Sequence, residues 1–416
     1  MIDISKALKI IDRETGPLGS ERVEISRSAG RILRENIIAD TDLPPFDRSQ
    51  MDGFAVVAAD TEKAPVRLTI VGESAAGQGW HKTMKSGEAV RIMTGAPVPD
   101  GADSVQKVEL TGETSAPLRS GGGVDQFVEI LEPAEIGKFI VRKGSEIKKG
   151  ATIFSVGDFI TENMIAAIAA FGYAAVKVGK QPRVAILATG SEIVDIDKKP
   201  GRDQIRNSNS VMLDVLCRKF GAGTTVLPIV EDEISNLKMQ ISEAIGLNKS
   251  AIRSPQFQIL ILTGGVSVGK YDHTKAALAE LGAEIFFDKV RLKPGKPAVF
   301  ARLKETLIFG LPGNPVSAAV TFHLFVRKAI LAMQGAATRD LKDGFALLGA
   351  DAKAARERDT YLPSRLEPNK SGQLIAYPLK WQGSSDFVGF ARADSMIFVA
   401  RGETLAKGSA ASIMYL

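Results

Sequence analysis

The feature that most constrains this chain is an alternation between residues 181 and 334. Short apolar runs end in glycine-containing turns, and segments of helical period follow them. The runs 183–188, 257–262 and 307–309 lead into Thr189-Gly190-Ser191-Glu192, Thr263-Gly264-Gly265 and Pro312-Gly313-Asn314-Pro315. Further strands are predicted over 225–230 and 298–302. One predicted helix carries Met212, Leu213, Leu216 and Phe220 on one face. Others carry Ile234, Leu237, Ile241 and Ile245, cover 273–281, and run from Pro315 to about Gln334. Strands that are apolar throughout need cover on both faces, and alternating helices supply it, so this region is expected to be a parallel-sheet α/β domain. Ligands of such sheets bind beyond the carboxyl ends of the strands.

The flanks have a different texture. Residues 1 to about 40 read as helical, with Ile4, Leu8 and Ile11 on one face and Gly16-Pro17 stopping the first helix. Leu43-Pro44-Pro45-Phe46 marks a boundary. From 54 to 130 the pattern turns to short β runs at 67–71, 89–93, 104–108 and 126–131, broken by Gly and Pro. The loop 111–123 is rich in Gly, Ser and Thr and reads as mobile. Thr161 caps a helix through Ala170 that Gly172 closes, and this segment rejoins the N-terminal helices. The β domain therefore reads as an insertion. After about Leu341, runs at 374–377, 396–399 and 411–414 predict a β-barrel-like module. The expected organisation is a discontinuous helical domain over 1–43 and 139–179, an inserted β domain over 44–138, the α/β domain over 180–335, and a C-terminal β domain over 336–416.

Composition removes several function classes. The net charge of +5, from 53 basic and 48 acidic side chains, is too mild to argue for nucleic acid. Aromatic residues are too few for base-stacking platforms. Cys217 is the single cysteine, so no internal disulfide or cysteine metal cage forms, and His81, His273 and His323 are scattered. The amphipathic N-terminus is charged at Asp3, Lys6 and Lys9, unlike a signal peptide. The most apolar stretch, 164–178, is broken by Gly172 and too short to span a bilayer. A soluble, cytoplasmic protein with neither nucleic-acid nor membrane partners is expected.

Glycine lets backbone N–H groups approach an anion, and a following helix N-terminus favours negative charge. The bland reading of each glycine turn is an ordinary strand-to-helix connection. Three at one sheet edge point to a phosphate-bearing ligand held near Gly264, Gly265, Ser267, Gly313, Asn314 and Pro315. Asn314 suits an N-cap and Pro315 the first helical position. Glu192, Asp232 and Asp272 accompany these turns. Carboxylates beside phosphates commonly hold Mg²⁺, whereas acids opening a helix can instead answer its dipole. In Lys289-Val290-Arg291-Leu292-Lys293-Pro294-Gly295-Lys296, a strand would put 289, 291 and 293 on one face. Such like charges suit an oxyanion, or blunt an edge strand. Asp52-Gly53, ahead of a strand, is either a turn or a functional acid.

At this point the sequence resembles a known family, the molybdopterin molybdenumtransferases, which include the E domain of gephyrin. The matching strings are Pro-Pro-Phe-Asp-Arg-Ser-Gln-Met-Asp-Gly-Phe-Ala at 44–55 and Arg-Ile-Met-Thr-Gly-Ala-Pro-Val-Pro at 91–99. Further matches are Ala-Thr-Gly-Ser-Glu at 188–192, Gly-Gly-Val-Ser-Val-Gly-Lys-Tyr-Asp at 264–272, Lys-Pro-Gly-Lys-Pro at 293–297 and Gly-Leu-Pro-Gly-Asn-Pro-Val-Ser at 310–317. The resemblance implies an elongated four-part homodimer that works with other molybdopterin-handling enzymes of its pathway. It implies that molybdate and adenylylated molybdopterin react, with Mg²⁺, to give molybdenum cofactor and AMP. Its functional positions fall on Asp52, Thr94, Glu192, Asp232 and Asp272, with Lys289, Lys293, Arg365 and Ser384 toward substrate. Glu146 in Gly144-Ser145-Glu146 stands near where the family carries a further acid. Two other readings are an adenylyltransferase, against which the segment around Met51-Asp52-Gly53 argues, and a gephyrin-like scaffold without catalysis.

Overall fold

A computed structural model describes residues 1–112, 126–247, 257–265, 273–380 and 383–416. The chain divides into two compact units. One comprises Asn36–Ser155 and Ala167–Tyr173; the other comprises Met1–Glu35, Val156–Ala166 and Ala174–Leu416.

The larger unit is organised around a six-stranded sheet. Its order is Gly223–Val226, Arg183–Ala188, Ile259–Thr263, Thr306–Leu311, Pro297–Leu303 and Glu284–Lys289. The first four strands are parallel, and the last two add antiparallel to form one edge. The predicted parallel sheet is present as a four-stranded core, with an antiparallel margin added. Alternate residues feed opposite faces. Val184, Ile186, Ile259 and Ile261 join one apolar core with the helices Ser208–Lys219 and Arg327–Gln334. Ala185, Leu187, Leu260 and Leu262 join another with Ile234–Ala244 and His273–Glu280. Every residue of the strand Thr306–Leu311 is buried, as its unbroken apolar run requires. Phe300 and Phe309 stack with centroids 4.8 Å apart in the first core.

Among the described residues, Pro315–Gln334 is long and apolar enough to cross a membrane by length and composition, but it lies inside the protein. Its apolar character serves packing. A π-helical turn, Phe322–Val326, interrupts it.

Three sequence expectations need correction. The strand predicted over 225–230 stops at Val226, because Pro228 has no N–H for a ladder; only Val230 bridges onward, to Thr189. Residues 1–40 are not helical throughout. The helix Ile4–Glu14 buries Ile4, Ala7 and Ile11, while Leu8 is only partly covered. Ser20–Glu24 is then a strand pairing antiparallel with Ala175–Gly179. The basic segment 289–296 is not one strand. Glu284–Lys289 belongs to the α/β sheet, Val290 bridges to Ile2, and Leu292–Lys293 pairs with Asp359–Thr360.

That last pairing ties the α/β sheet to the C-terminal module. There Asp359–Pro368, Leu374–Pro378, Asp343–Leu348, Ala410–Tyr415 and Ser395–Val399 pair in turn, and the last pairs again with the first. The result is a closed five-stranded barrel, which leaves no free edge except where Leu292–Lys293 adds on.

The smaller unit holds a second six-stranded sheet: Ser104–Lys107, Gly53–Val56, Glu88–Ile92, Val66–Ser74, Phe127–Ile130 and Thr111–Gly112. The β runs predicted there are all present as strands. Of the loop read as mobile, Thr111–Gly112 is a short strand and 113–123 lies outside the described residues.

Candidate active site

Sheet register decides where the glycine turns lie. Ala188 pairs with Thr263, and Thr263 with Leu311, so three neighbouring strands end at one level. The turns at Gly190, Gly264–Gly265 and Gly313 therefore stand side by side at the carboxyl edge. Gly264 and Gly265 have φ of +95° and +60°, a left-handed conformation that glycine adopts without strain. Space demands glycine there as well. A Cβ on Gly265 would come within 2.7 Å of Asp232 Oδ1, 2.8 Å of Thr189 Oγ1 and 2.9 Å of Thr274 Oγ1. One backbone position thus gathers three side-chain oxygens. The Thr189 and Thr274 hydroxyls are buried and have no hydrogen-bond partner among the described residues.

Asp232 is half-buried, with Oδ1 3.7 Å from His273 Nδ1 and its carbonyl oxygen in contact with the same ring nitrogen. It does not cap the helix Ile234–Ala244, whose N-cap is Glu233. The Glu192 carboxylate lies over the first turn, where a Cβ on Gly190 would meet its Oε2 at 2.5 Å. Ser267 and Asp272 lie outside the described residues. Among the described residues no group of three or more His, Cys, Asp and Glu side chains surrounds a point where a metal would sit. The oxygens of Asp232, Thr189 and Thr274 nonetheless fit Mg²⁺, a hard cation that takes one or two carboxylates, keeps waters and binds substrate phosphate.

Beside the third turn a cleft of about 470 Å³ is lined by Lys293, Lys296 and Arg358, with Asn314, Ser317 and Ser384. Among the described residues no carboxylate lines it, so three cationic groups face one volume with neutral donors around them. Strand addition builds it: Lys293 arrives when Leu292–Lys293 joins the barrel beside Asp359, next to Arg358. Asp359 N donates to Arg291 O, and Arg291 and Arg401 both donate to Asp3 Oδ1, at 3.1 and 2.9 Å. These bonds hold the Asp3 carboxyl below its usual range. Arg291 is thereby drawn away from the two lysines. Lys289 ends its strand outside the cleft lining, and buried Val290 and Leu292 fix the path between. Arg365 is also outside the lining; its Nε pairs with Glu367 Oε1 at 3.1 Å. Asn314 sits at the N-cap and Pro315 at the first helical position, but the Asn314 side chain makes no cap bond. It donates to Ser384 Oγ at 2.9 Å, and Val316 N donates to Ser384 O.

In the smaller unit the two positions implied by resemblance meet. Asp52 and Thr94 follow one another across the paired strands Gly53–Val56 and Glu88–Ile92. Asp52 Oδ1 accepts from Thr94 N at 2.7 Å and Thr94 Oγ1 at 2.8 Å. These two bonds, the backbone one foremost, hold this exposed carboxyl below its ordinary range. Gly53 is required by close approach, since a Cβ would lie 2.0 Å from Gln106 O. Glu146 faces Arg48, at 3.2 Å.

Sequence reasoning gave no role to Arg358, Thr274 and Asn209, nor to Thr189 and Ser317 inside the motifs it quoted. Arg358 stands in the mixed-charge run Arg356-Glu357-Arg358-Asp359, which reads as a solvated surface, and it reaches the cleft only through the barrel.

Residues 2–172 match a family described as the MoeA N-terminal region (domain I and II), 185–332 a probable molybdopterin binding domain, and 346–416 the MoeA C-terminal region (domain IV). A molybdopterin molybdenumtransferase of Bacillus subtilis is 34% identical over 387 residues, covering 92% of this chain and 86% of the relative. The chain belongs to the molybdopterin molybdenumtransferase family. A member from Haemophilus influenzae is 32% identical over 405 residues, 95% of each chain. The crystal structure of a molybdopterin biosynthesis MoeA protein from Pyrococcus horikoshii OT3 is 25% identical and superposes along the whole of both chains with a TM-score of 0.81.

Proposed function

We infer that this protein is a transferase of molybdenum cofactor biosynthesis that inserts molybdate into adenylylated molybdopterin, forming molybdenum cofactor and releasing AMP. The observation that carries this reading is the cleft of Lys293, Lys296 and Arg358, free of carboxylates among the described residues, beside three glycine turns at the carboxyl edge of the sheet. Its full-length relatives bear the name of that activity.

Lys293, Lys296 and Arg358 hold the molybdate dianion by charge, and Ser317, Ser384 and Asn314 orient its oxygens. The backbone at Gly264–Gly265 and Gly313 approaches the phosphates of the adenylylated substrate. Asp232, Thr189 and Thr274 would hold Mg²⁺, with Glu192 at the first turn and Asp272 as implied by resemblance; bound there, the ion would supply positive charge against the substrate phosphate. Fixed cations and oriented donors need no rearrangement as charge develops, which is where such a site lowers a barrier. Holding the oxyanion next to the pterin's dithiolene replaces a bimolecular encounter with a positioned one. Asp52, kept ionised by Thr94, serves as an acceptor for a substrate donor. A cytoplasmic homodimer that hands its product to other molybdopterin-handling enzymes completes the reading, and sedimentation at assay concentration tests the dimer.

The experiment is reconstitution. Purified full chain, adenylylated molybdopterin, Mg²⁺ and molybdate should release AMP and activate a cofactor-free molybdoenzyme. Adenylylation of molybdopterin from ATP without molybdate would replace this reading with an adenylyltransferase. Binding without turnover would replace it with a scaffold.

A further inference from the structure

Beyond the sheet, the three turns are not tied together in the same way. The first and second are joined by backbone: Thr189 N donates to Thr263 O at 2.9 Å. The second and third are joined by one side chain that belongs to neither. Asn209, in the first turn of the helix Ser208–Lys219, is 8% exposed. Its Nδ2 donates to Thr263 Oγ1 at 2.9 Å and to Gly313 O at 2.7 Å. The only other hydrogen bond across this gap among the described residues is a long one, Thr263 Oγ1 to Pro312 O at 3.5 Å. The gap itself is narrow, since a Cβ on Gly313 would be 3.7 Å from Gly264 Cα.

The orientation of the amide is fixed by its surroundings. Gly313 O can only accept, so a donor must face it, and a flipped amide would set Oδ1 against that carbonyl. Asn209 Oδ1 is then buried without a partner among the described residues, a cost borne for the two donated bonds. The helix is held from outside as well, because Asn207 Oδ1 accepts from Ser210 N at 3.1 Å. Asn209 is thus a short strut between a capped helix and two turns with different duties. The second turn faces the phosphate side of the edge, and the third carries Asn314 and leads to Ser317 in the cationic cleft.

We infer that Asn209 is a positioning residue that fixes the spacing between the phosphate-facing turn and the oxyanion cleft, and so between the two substrates. This rests on the molybdenum-insertion reading above. The cleft's cations come from other segments, Lys293 and Lys296 from the basic arm and Arg358 from the barrel, and Asn314 stays tied to Ser384 without Asn209. Loss of the strut therefore leaves each ligand its own contacts and disturbs only their mutual placement. Rates are more sensitive than affinities to such displacement, with an ångström worth up to about a hundredfold.

The test compares Asn209→Ala, Asn209→Asp and Thr263→Val in the full chain, following molybdate binding by calorimetry, thermal stability, and insertion kinetics against both substrates. Asn209→Ala should lower kcat by about tenfold or more while molybdate affinity stays within about twofold. Asn209→Asp has the same size but cannot donate to Gly313 O, so it should not restore kcat. Thr263→Val keeps the shape of the strand end and removes one acceptor. It should lower kcat less, again at unchanged molybdate affinity, and it decides the matter if the Asn209 variants fold poorly. An unchanged kcat in folded variants, or parallel losses of stability, affinity and rate, would overturn the inference. Wild-type protein that inserts no molybdenum under the same conditions would instead overturn the function on which it rests.

Discussion

Replacing Arg358 by leucine separates the cleft seen in the structure from the site that resemblance alone implied. Three cations line the cleft, and their burial differs: Arg358 and Lys296 are half-buried, whereas Lys293 is exposed. A hydrogen bond to a charged partner in a partly desolvated site contributes about 1.5–3 kcal/mol, so Arg358→Leu should raise the half-saturating molybdate concentration by about ten- to a hundredfold. An exposed charge contributes about 1 kcal/mol or less, so Lys293→Ala should raise it by about fivefold at most, and less at high salt. Arg365→Leu should leave it unchanged, because Arg365 is outside the lining and pairs with Glu367. The assay is molybdate titration of AMP release, paired with direct molybdate binding and a melting curve for each variant. Wild-type molybdate dependence in folded Arg358→Leu, or an equal loss in Arg365→Leu, would refute the assignment of the cleft.

Other perturbations test separate parts of the structure. Asp52→Asn should weaken the two bonds from Thr94 and depress insertion while molybdate binding to the cleft persists; full activity would remove Asp52 from the machinery. Gly265→Ala combines a φ of +60° with contacts of 2.7–2.9 Å to three oxygens, so it should cost about 1–3 kcal/mol in chemical denaturation and raise the Mg²⁺ requirement; a neutral effect would mean the turn relaxes freely. The His323 pKa is lowered from 6.5 to about 4 by burial, with Lys219 and Arg327 adding to the effect, and its Nδ1 has no hydrogen-bond partner among the described residues. The folded state therefore requires it neutral: its contribution is whole above pH 6.5 and is lost as pH falls through about 4, by about 3 kcal/mol in all. Relative to His323→Phe, the wild type should lose stability steadily across that window, and parallel curves would show that His323 does not titrate there.

The α/β core was legible because local patterning and global packing agree. Apolar runs bounded by glycine predicted buried strands, and helical periodicity predicted the layers that cover them. The glycine turns could be placed at one edge because parallel strands bring their carboxyl ends to the same side. Prolines and glycines set element limits, and where Pro228 was overlooked the predicted strand ran too long. The N-terminal segment was misread because Ser20–Glu24 takes its strand conformation from Ala175–Gly179, over a hundred residues away. The basic arm shows most clearly what sequence alone leaves open. Alternation put residues 289, 291 and 293 on one face of a single strand, and it could not reveal that two different sheets would claim the arm. Which cations face one volume is settled only when the barrel closes. Barrel closure sets Arg358 beside Lys293 and Lys296, the ion pair with Asp3 removes Arg291, and the end of its strand leaves Lys289 outside. Periodicity determines which side of an element is buried, because burial is a property of each residue and its near neighbours. The site depends on side chains that meet across long loops, and those meetings exist only once the sheets have paired.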